Sequence, residues 1–158
     1  MSLDRERAPE GRRAVRQGLA AALGLALTAP ALATAAEDFV VIVHPSVVGK
    51  SIHRSDLAAL FLRKAARWGA GGTAVPADQS GTSPVRKAFS EAVLGMSVPT
   101  VVQYWQSQMF STKPLRPPVV KGTDAEVIAF VARTEGAVGY VSKAARLPAE
   151  VKAITVVD

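Results

Sequence analysis

Apolar residues fall into two patterns that alternate along the chain. Phe39 to Val43 is a continuous, mostly β-branched run closed by His44 and Pro45, which predicts a strand covered on both faces. Leu57, Leu60, Phe61 and Leu62 follow at helical spacing behind Ser55, a suitable N-cap, with Asp56 in the first turn. Arg63 and Lys64 sit near that helix's C-terminal end, where positive charge is favoured. Gly69 to Gly72 reads as a loop, and Thr73 to Ala77 as a short strand or edge segment limited by Pro76. Ser83 with Pro84 then predicts a helix carrying Val85, Phe89, Val93 and Leu94, stopped by Gly95. Ser97 with Pro99 opens another through Trp105 and Met109, and residues 111–118, with three prolines, form a loop. Tyr104, Trp105, Met109 and Phe110 are expected to pack into the core. Thr123 and Glu126 make a capping box ahead of Val127, Ile128, Phe130 and Val131, with Gly136 as the stop. Ala137–Val141 and Val151–Val157 are final strands. Strands alternating with helices predict an α/β fold, with a mixed or mostly parallel sheet flanked by helices.

The first 35 residues do not belong to that pattern. Five arginines, at 5, 7, 12, 13 and 16, precede an apolar run from Gly18 to Leu27 and small residues around Pro30. This is the three-part layout of an export signal, with Ala33-Thr34-Ala35 as the favoured cleavage site and Ala31-Leu32-Ala33 as the second choice. The apolar run is half of the roughly 20 residues needed to span a bilayer, so cleavage is preferred to a retained anchor. Arg12-Arg13 also fits a twin-arginine signal, which leaves the Sec and Tat routes both open. The expected organisation is a cleavable signal over residues 1–35 and one domain over residues 36–158, exported to the periplasm.

Composition narrows the chemistry. Cysteine is absent, which removes disulfides, thiolate nucleophiles and cysteine-based metal centres, and leaves His44 and His53 as the imidazoles. The formal charge of +6 falls to +4 without the first 35 residues, and the remaining cations are scattered with no dense basic stripe, so nucleic acid is not an expected partner. Neither a nucleotide-binding P-loop nor a hydrolase nucleophile elbow is present, and neither histidine has a recognisable catalytic partner in sequence. The chain is therefore expected to be no enzyme and to need no cofactor.

One segment carries chemistry. Ser80-Gly81-Thr82-Ser83 stands at a helix start, where backbone N–H groups, the positive end of the helix dipole and three hydroxyls meet beside a glycine that permits close approach. Such a cradle suits an oxyanion. Arg86, one turn inside the helix, either adds a charged donor or points to solvent. The plainer alternative is that Ser83 caps the helix and the other hydroxyls solvate a turn.

Three segments resemble the substrate-binding proteins of phosphate ABC transporters, in particular their short, single-lobe relatives. Phe61-Leu-Arg-Lys64, running to Trp68, is similar to that family's Phe-x-Gly-Lys segment, with Arg63 in place of the glycine. Asp78-Gln-Ser-Gly-Thr-Ser83 resembles its Asp-Gly-Ser-Gly-Thr-Ser anion loop, with Gln79 in place of a glycine, and Pro76 stands where the family commonly has an arginine. Gly136-Ala-Val-Gly-Tyr-Val141 resembles its Gly-Ala-Ile-Gly-Tyr-Val strand. The resemblance implies the α/β lobe of a type II periplasmic binding protein, with Ser80, Gly81, Thr82 and Ser83 donating to phosphate or a similar oxyanion and Arg86 as a further contact. It also implies a possible ABC permease or sensor protein as partner. Full-length relatives close two lobes over the anion, whereas 123 residues make one, so a homodimer is a further expected partner. The rival expectation is a protein-interaction or sensory-accessory module that keeps the lobe without binding an anion tightly.

Overall fold

A continuous apolar strand can persist only where both faces of its sheet are covered, and β1 (Phe39–Val43) meets that condition. The computed structural model describes residues 38–158. The expected export signal, its cleavage sites and the arginine pair lie outside the described residues.

Six strands form one mixed sheet in the order β2-β6-β1-β5-β3-β4. β1 runs antiparallel to both of its neighbours, β5 (Ala137–Ser142) and β6 (Lys152–Val157). β2 (Ser51–His53) is parallel to β6, and β3 (Val75–Gln79) is parallel to β5 and to β4 (Val119–Lys121). Alternate residues of β1 feed two cores. Phe39, Val41 and Val43 join Val138, Tyr140 and Ile154 against Leu57 and Phe61 of α1 (Arg54–Phe61) and Phe89 of α2 (Pro84–Phe89). Ile42 faces the other way, into a cluster with Val141 and with Val127 and Val131 of α4 (Asp124–Arg133). The result is a helix, sheet, helix sandwich, the α/β architecture that the sequence predicts.

Two glycines bring the layers together. A Cβ on Gly139 would lie 2.6 Å from Val127 Cγ1, so only a bare backbone lets α4 pack this closely on β5. At Gly136 φ is +72°, and a Cβ would lie 2.1 Å from the Thr73 carbonyl oxygen. Its own carbonyl accepts from the Trp68 indole N–H at 2.9 Å, which ties the loop after α1 to the start of β5.

Several expectations need correction. α1 is entered directly from β2, so its N-cap is His53, which makes no side-chain cap bond, and Ser55 lies inside the helix. The third strand is shifted two residues along and lies inside the sheet, not at its edge. Val75 donates to Gly136 O, so the missing N–H of Pro76 faces the β4 side, where pairing begins only at Ala77. After α2 the chain widens into one π turn, Ser90–Leu94, before Gly95 in the left-handed region ends it. In α3 (Val98–Met109) Val101 and Trp105 are buried, but Met109, one turn further along the same face at the helix's last residue, and Phe110, just past its end, are exposed.

Candidate anion site

The loop after β3 begins on a residue with no free polar atoms in its side chain. Gln79 is 2% exposed; its Nε2 donates to Asp124 Oδ1 at 2.8 Å and to the Tyr140 carbonyl at 2.9 Å. Its Oε1 accepts the Ser83 hydroxyl at 2.7 Å. Gln79 therefore joins the end of β3 to the N-cap of α2 and the first turn of α4. Asp124 accepts from Ser142 N with its other oxygen, which closes the frame at the end of β5.

On this frame Ser80-Gly81-Thr82-Ser83 makes a tight turn, with Ser83 N donating to Ser80 O at 2.9 Å. Ser80 N completes the ladder to Lys121 O. Ser83 Oγ accepts from Arg86 N at 3.3 Å, the N-cap that the sequence predicts. Its proton goes to Gln79, so this hydroxyl is spent inside the frame. Gly81 and Thr82 are exposed, and their amides have no acceptor among the described residues. Ser80 Oγ and Thr82 Oγ1 are 3.2 Å apart, so one proton is shared between them and the other points elsewhere. Two amides and one hydroxyl proton are thus available to a ligand.

Arg86 lies beneath this turn and does not point to solvent. It is buried, with one terminal nitrogen donating to Gln79 O at 2.7 Å and the other 2.9 Å from Asp78 Oδ2; Nε is buried without a partner. Asp78 also accepts the Tyr140 hydroxyl and its neighbour's amide, Gln79 N. Burial pushes the Asp78 carboxyl up from its ordinary value, against the opposing pull of Tyr140, Arg86 and the Gln79 amide. Burial and the adjacent carboxylate push the Tyr140 hydroxyl up as well, which keeps it the donor of that pair. Tyr140 in turn stacks on Phe89 of α2, ring centres 3.9 Å apart, so the polar frame is pinned to the aromatic core.

Beside the turn, Lys87, Glu91, Ser97 and Val98 line an open cleft of about 390 Å³. The histidines are elsewhere. His44 follows β1, whose direction is opposite to β3, and its Nδ1 is engaged by Ser46; His53 caps α1. Among the described residues no cluster of three or more metal-ligating side chains occurs. The sequence singles out the turn but not the frame of Asp78, Gln79, Asp124 and Tyr140 beneath it. The one available signal was a polar Asp-Gln pair closing an apolar strand.

No family model and no curated protein matches the sequence. Solved structures do. A protein of Clostridium perfringens described as a phosphate ABC transporter substrate-binding protein, solved with bound phosphate, superposes with a TM-score of 0.57 at 19% identity. An ABC-type phosphate transport receptor of Vibrio cholerae gives 0.58 at 15%, and PstS of Borrelia burgdorferi 0.57 at 13%. Each match covers 75% of this chain but only 44%, 46% and 47% of the respective neighbour. The chain thus has the fold of these substrate-binding proteins and spans less than half their length.

Proposed function

We propose that this chain is a periplasmic, non-enzymatic binding module for phosphate or a similar oxyanion, made as a signal peptide over residues 1–35 and a binding domain over residues 36–158. The observation that carries the reading is the exposed Ser80-Gly81-Thr82 turn, whose two unbonded amides are presented on a largely buried frame in which every polar atom of the Gln79 side chain is hydrogen-bonded. Ser80, Gly81 and Thr82 contact the anion; Ser83 and Arg86 hold the turn in shape. The neighbours' names, and the phosphate bound in one of them, support the choice of ligand. An ABC importer is the corresponding partner.

Energetics set the expected strength. Three donors to an anion contribute roughly 1.5–3 kcal/mol each, against an association cost of at least about 4 kcal/mol. The Arg86 charge is already paired with Asp78 and adds little. The balance is a few kcal/mol, millimolar binding by one open lobe. Micromolar binding needs a second wall, from another copy of the chain or from a partner protein. A second reading, a sensory or protein-interaction module, is favoured by one feature: the Arg86 charge and the Ser83 proton are both consumed inside the fold.

Calorimetric titration of the purified chain with phosphate and sulfate, with oligomeric state measured on the same sample, decides between them. Saturable phosphate binding that is weakened severalfold in Thr82→Ala supports the anion module. A folded sample silent to tens of millimolar phosphate, roughly a decade beyond the expected range, removes it in favour of the second reading.

A further inference from the structure

At the opposite edge of the sheet from β4, the turn out of β1, β2, α1 and the loop after it border a half-open cavity of about 410 Å³. Its floor is apolar and part of the core: Val47, Leu60 and Ile154 are each less than a tenth exposed. Trp68 forms a wall, held in place by its indole N–H bond to Gly136 O. Asp56 and Arg67 also line it, and both are exposed. Neither side chain has an ion-pair or hydrogen-bond partner among the described residues, so the two opposite charges border one cavity without meeting. None of the turn residues 80–83 reaches it.

We infer that this cavity is a second binding site, for a small zwitterion with an apolar body, in chemical class an α-amino acid with an aromatic or branched side chain. An ammonium group can pair with Asp56 and a carboxylate with Arg67, while the side chain covers the floor and the Trp68 ring. A simple anion or cation would satisfy one charge and meet the like charge of the other. The volume lies toward the lower end of the range for small-molecule pockets, about 300–1,000 Å³, which suits a molecule of amino-acid size.

The test is titration of the full chain with L-phenylalanine, followed by calorimetry and tryptophan fluorescence. Saturable binding is expected, with 3-phenylpropanoate and phenethylamine, which each lack one charge, weaker by about tenfold. Asp56→Asn and Arg67→Gln, both at exposed positions, are each expected to lose about tenfold with unchanged response to phosphate, Arg67→Gln with unchanged thermal melting and Asp56→Asn with melting lowered by only a few degrees, since its charge favours the first turn of α1. Absence of saturation to about 10 mM, equal binding of either analogue, or wild-type binding by both variants would overturn the inference. Because the phosphate titration is run on the same variants, failure here and failure of the anion site are read separately.

Discussion

Arg86 and Asp78, eight residues apart on α2 and β3, form an ion pair of 2.9 Å that is almost entirely out of water and lies directly under the exposed turn. The two partners do not respond alike to loss of the other. A carboxyl already pushed up by burial can retreat by taking a proton; a guanidinium has no neutral form to retreat to. Asp78→Asn is therefore the harsher change, with an expected loss of about 3–5 kcal/mol in urea denaturation at neutral pH, because it leaves a buried charge uncompensated. A loss below about 1 kcal/mol would show that water reaches Arg86 freely.

The same asymmetry predicts a pH dependence. Because the folded-state value of Asp78 is raised above its ordinary 3.8, the folded protein holds more of this proton than the unfolded chain in the window between the two. Its contribution is fully present below the unfolded value and is lost as pH rises through the folded one. In Arg86→Met the opposing pull of the guanidinium is gone and the carboxyl moves further up, which widens the window. The cost of Arg86→Met, measured by denaturation from pH 7 downward, should shrink as pH falls. A cost that is flat with pH would mean Asp78 stays ionised without its partner.

Ser83 and Thr82 separate structure from binding within one turn. Ser83 Oγ caps α2 and donates to Gln79, so Ser83→Ala should cost about 1–2 kcal/mol of stability. Thr82 is exposed and bonds only to Ser80 Oγ, so Thr82→Ala should leave the melting temperature within about 1 °C while weakening phosphate binding severalfold. If both variants lost stability equally, the Thr82 hydroxyl would belong to the frame and not to the ligand site.

Gly139 tests how tightly the second core is closed. A methyl group there meets Val127 Cγ1 at 2.6 Å and Val131 Cγ2 at 3.3 Å, and both valines are fully buried. Gly139→Ala should thus destabilise by about 1–3 kcal/mol, as overpacking does, in thermal or urea unfolding. Gly139→Ala combined with Val127→Ala should recover part of that loss, since the second change opens the space the first one needs.

What the sequence made legible follows from the range over which each element is determined. β1, β5, the Ser83-Pro84 start and the Thr123 capping box are settled within a few residues, and the structure holds all of them, although Glu126 reaches back to Gly122 N. β2 and β4 are three residues each and exist only because β6 and β3 offer them a neighbour. The frame under the turn was illegible for the same reason: Gln79 is 45 residues from Asp124 and 61 from Tyr140. The inward turn of Arg86 depends on Asp78 being buried by the aromatic core, which no local pattern records.

Arg63 is the place where local sequence and backbone conflict. It follows the C-cap Leu62 with φ at +57°, the left-handed position that commonly ends a helix and that favours glycine, and it is the position where the resembling segment has one. For a residue with a Cβ that conformation costs about 1–2 kcal/mol. Part of this is offset by the bond from its guanidinium to Ala74 O, which is long at 3.3 Å and half-exposed, so its net worth is about 0.5 kcal/mol. Arg63→Gly removes the strain and that bond, and it adds freedom to the unfolded chain, which opposes the gain. The expected balance is a stabilisation of up to about 1 kcal/mol, seen as a higher urea midpoint at unchanged slope. Arg63→Ala keeps the strain and removes only the bond, so it should be slightly less stable than the parent. If Arg63→Gly were less stable than the parent, the guanidinium contact with Ala74, which joins the end of α1 to the residue before β3, and the added freedom of the unfolded chain would together outweigh the backbone strain.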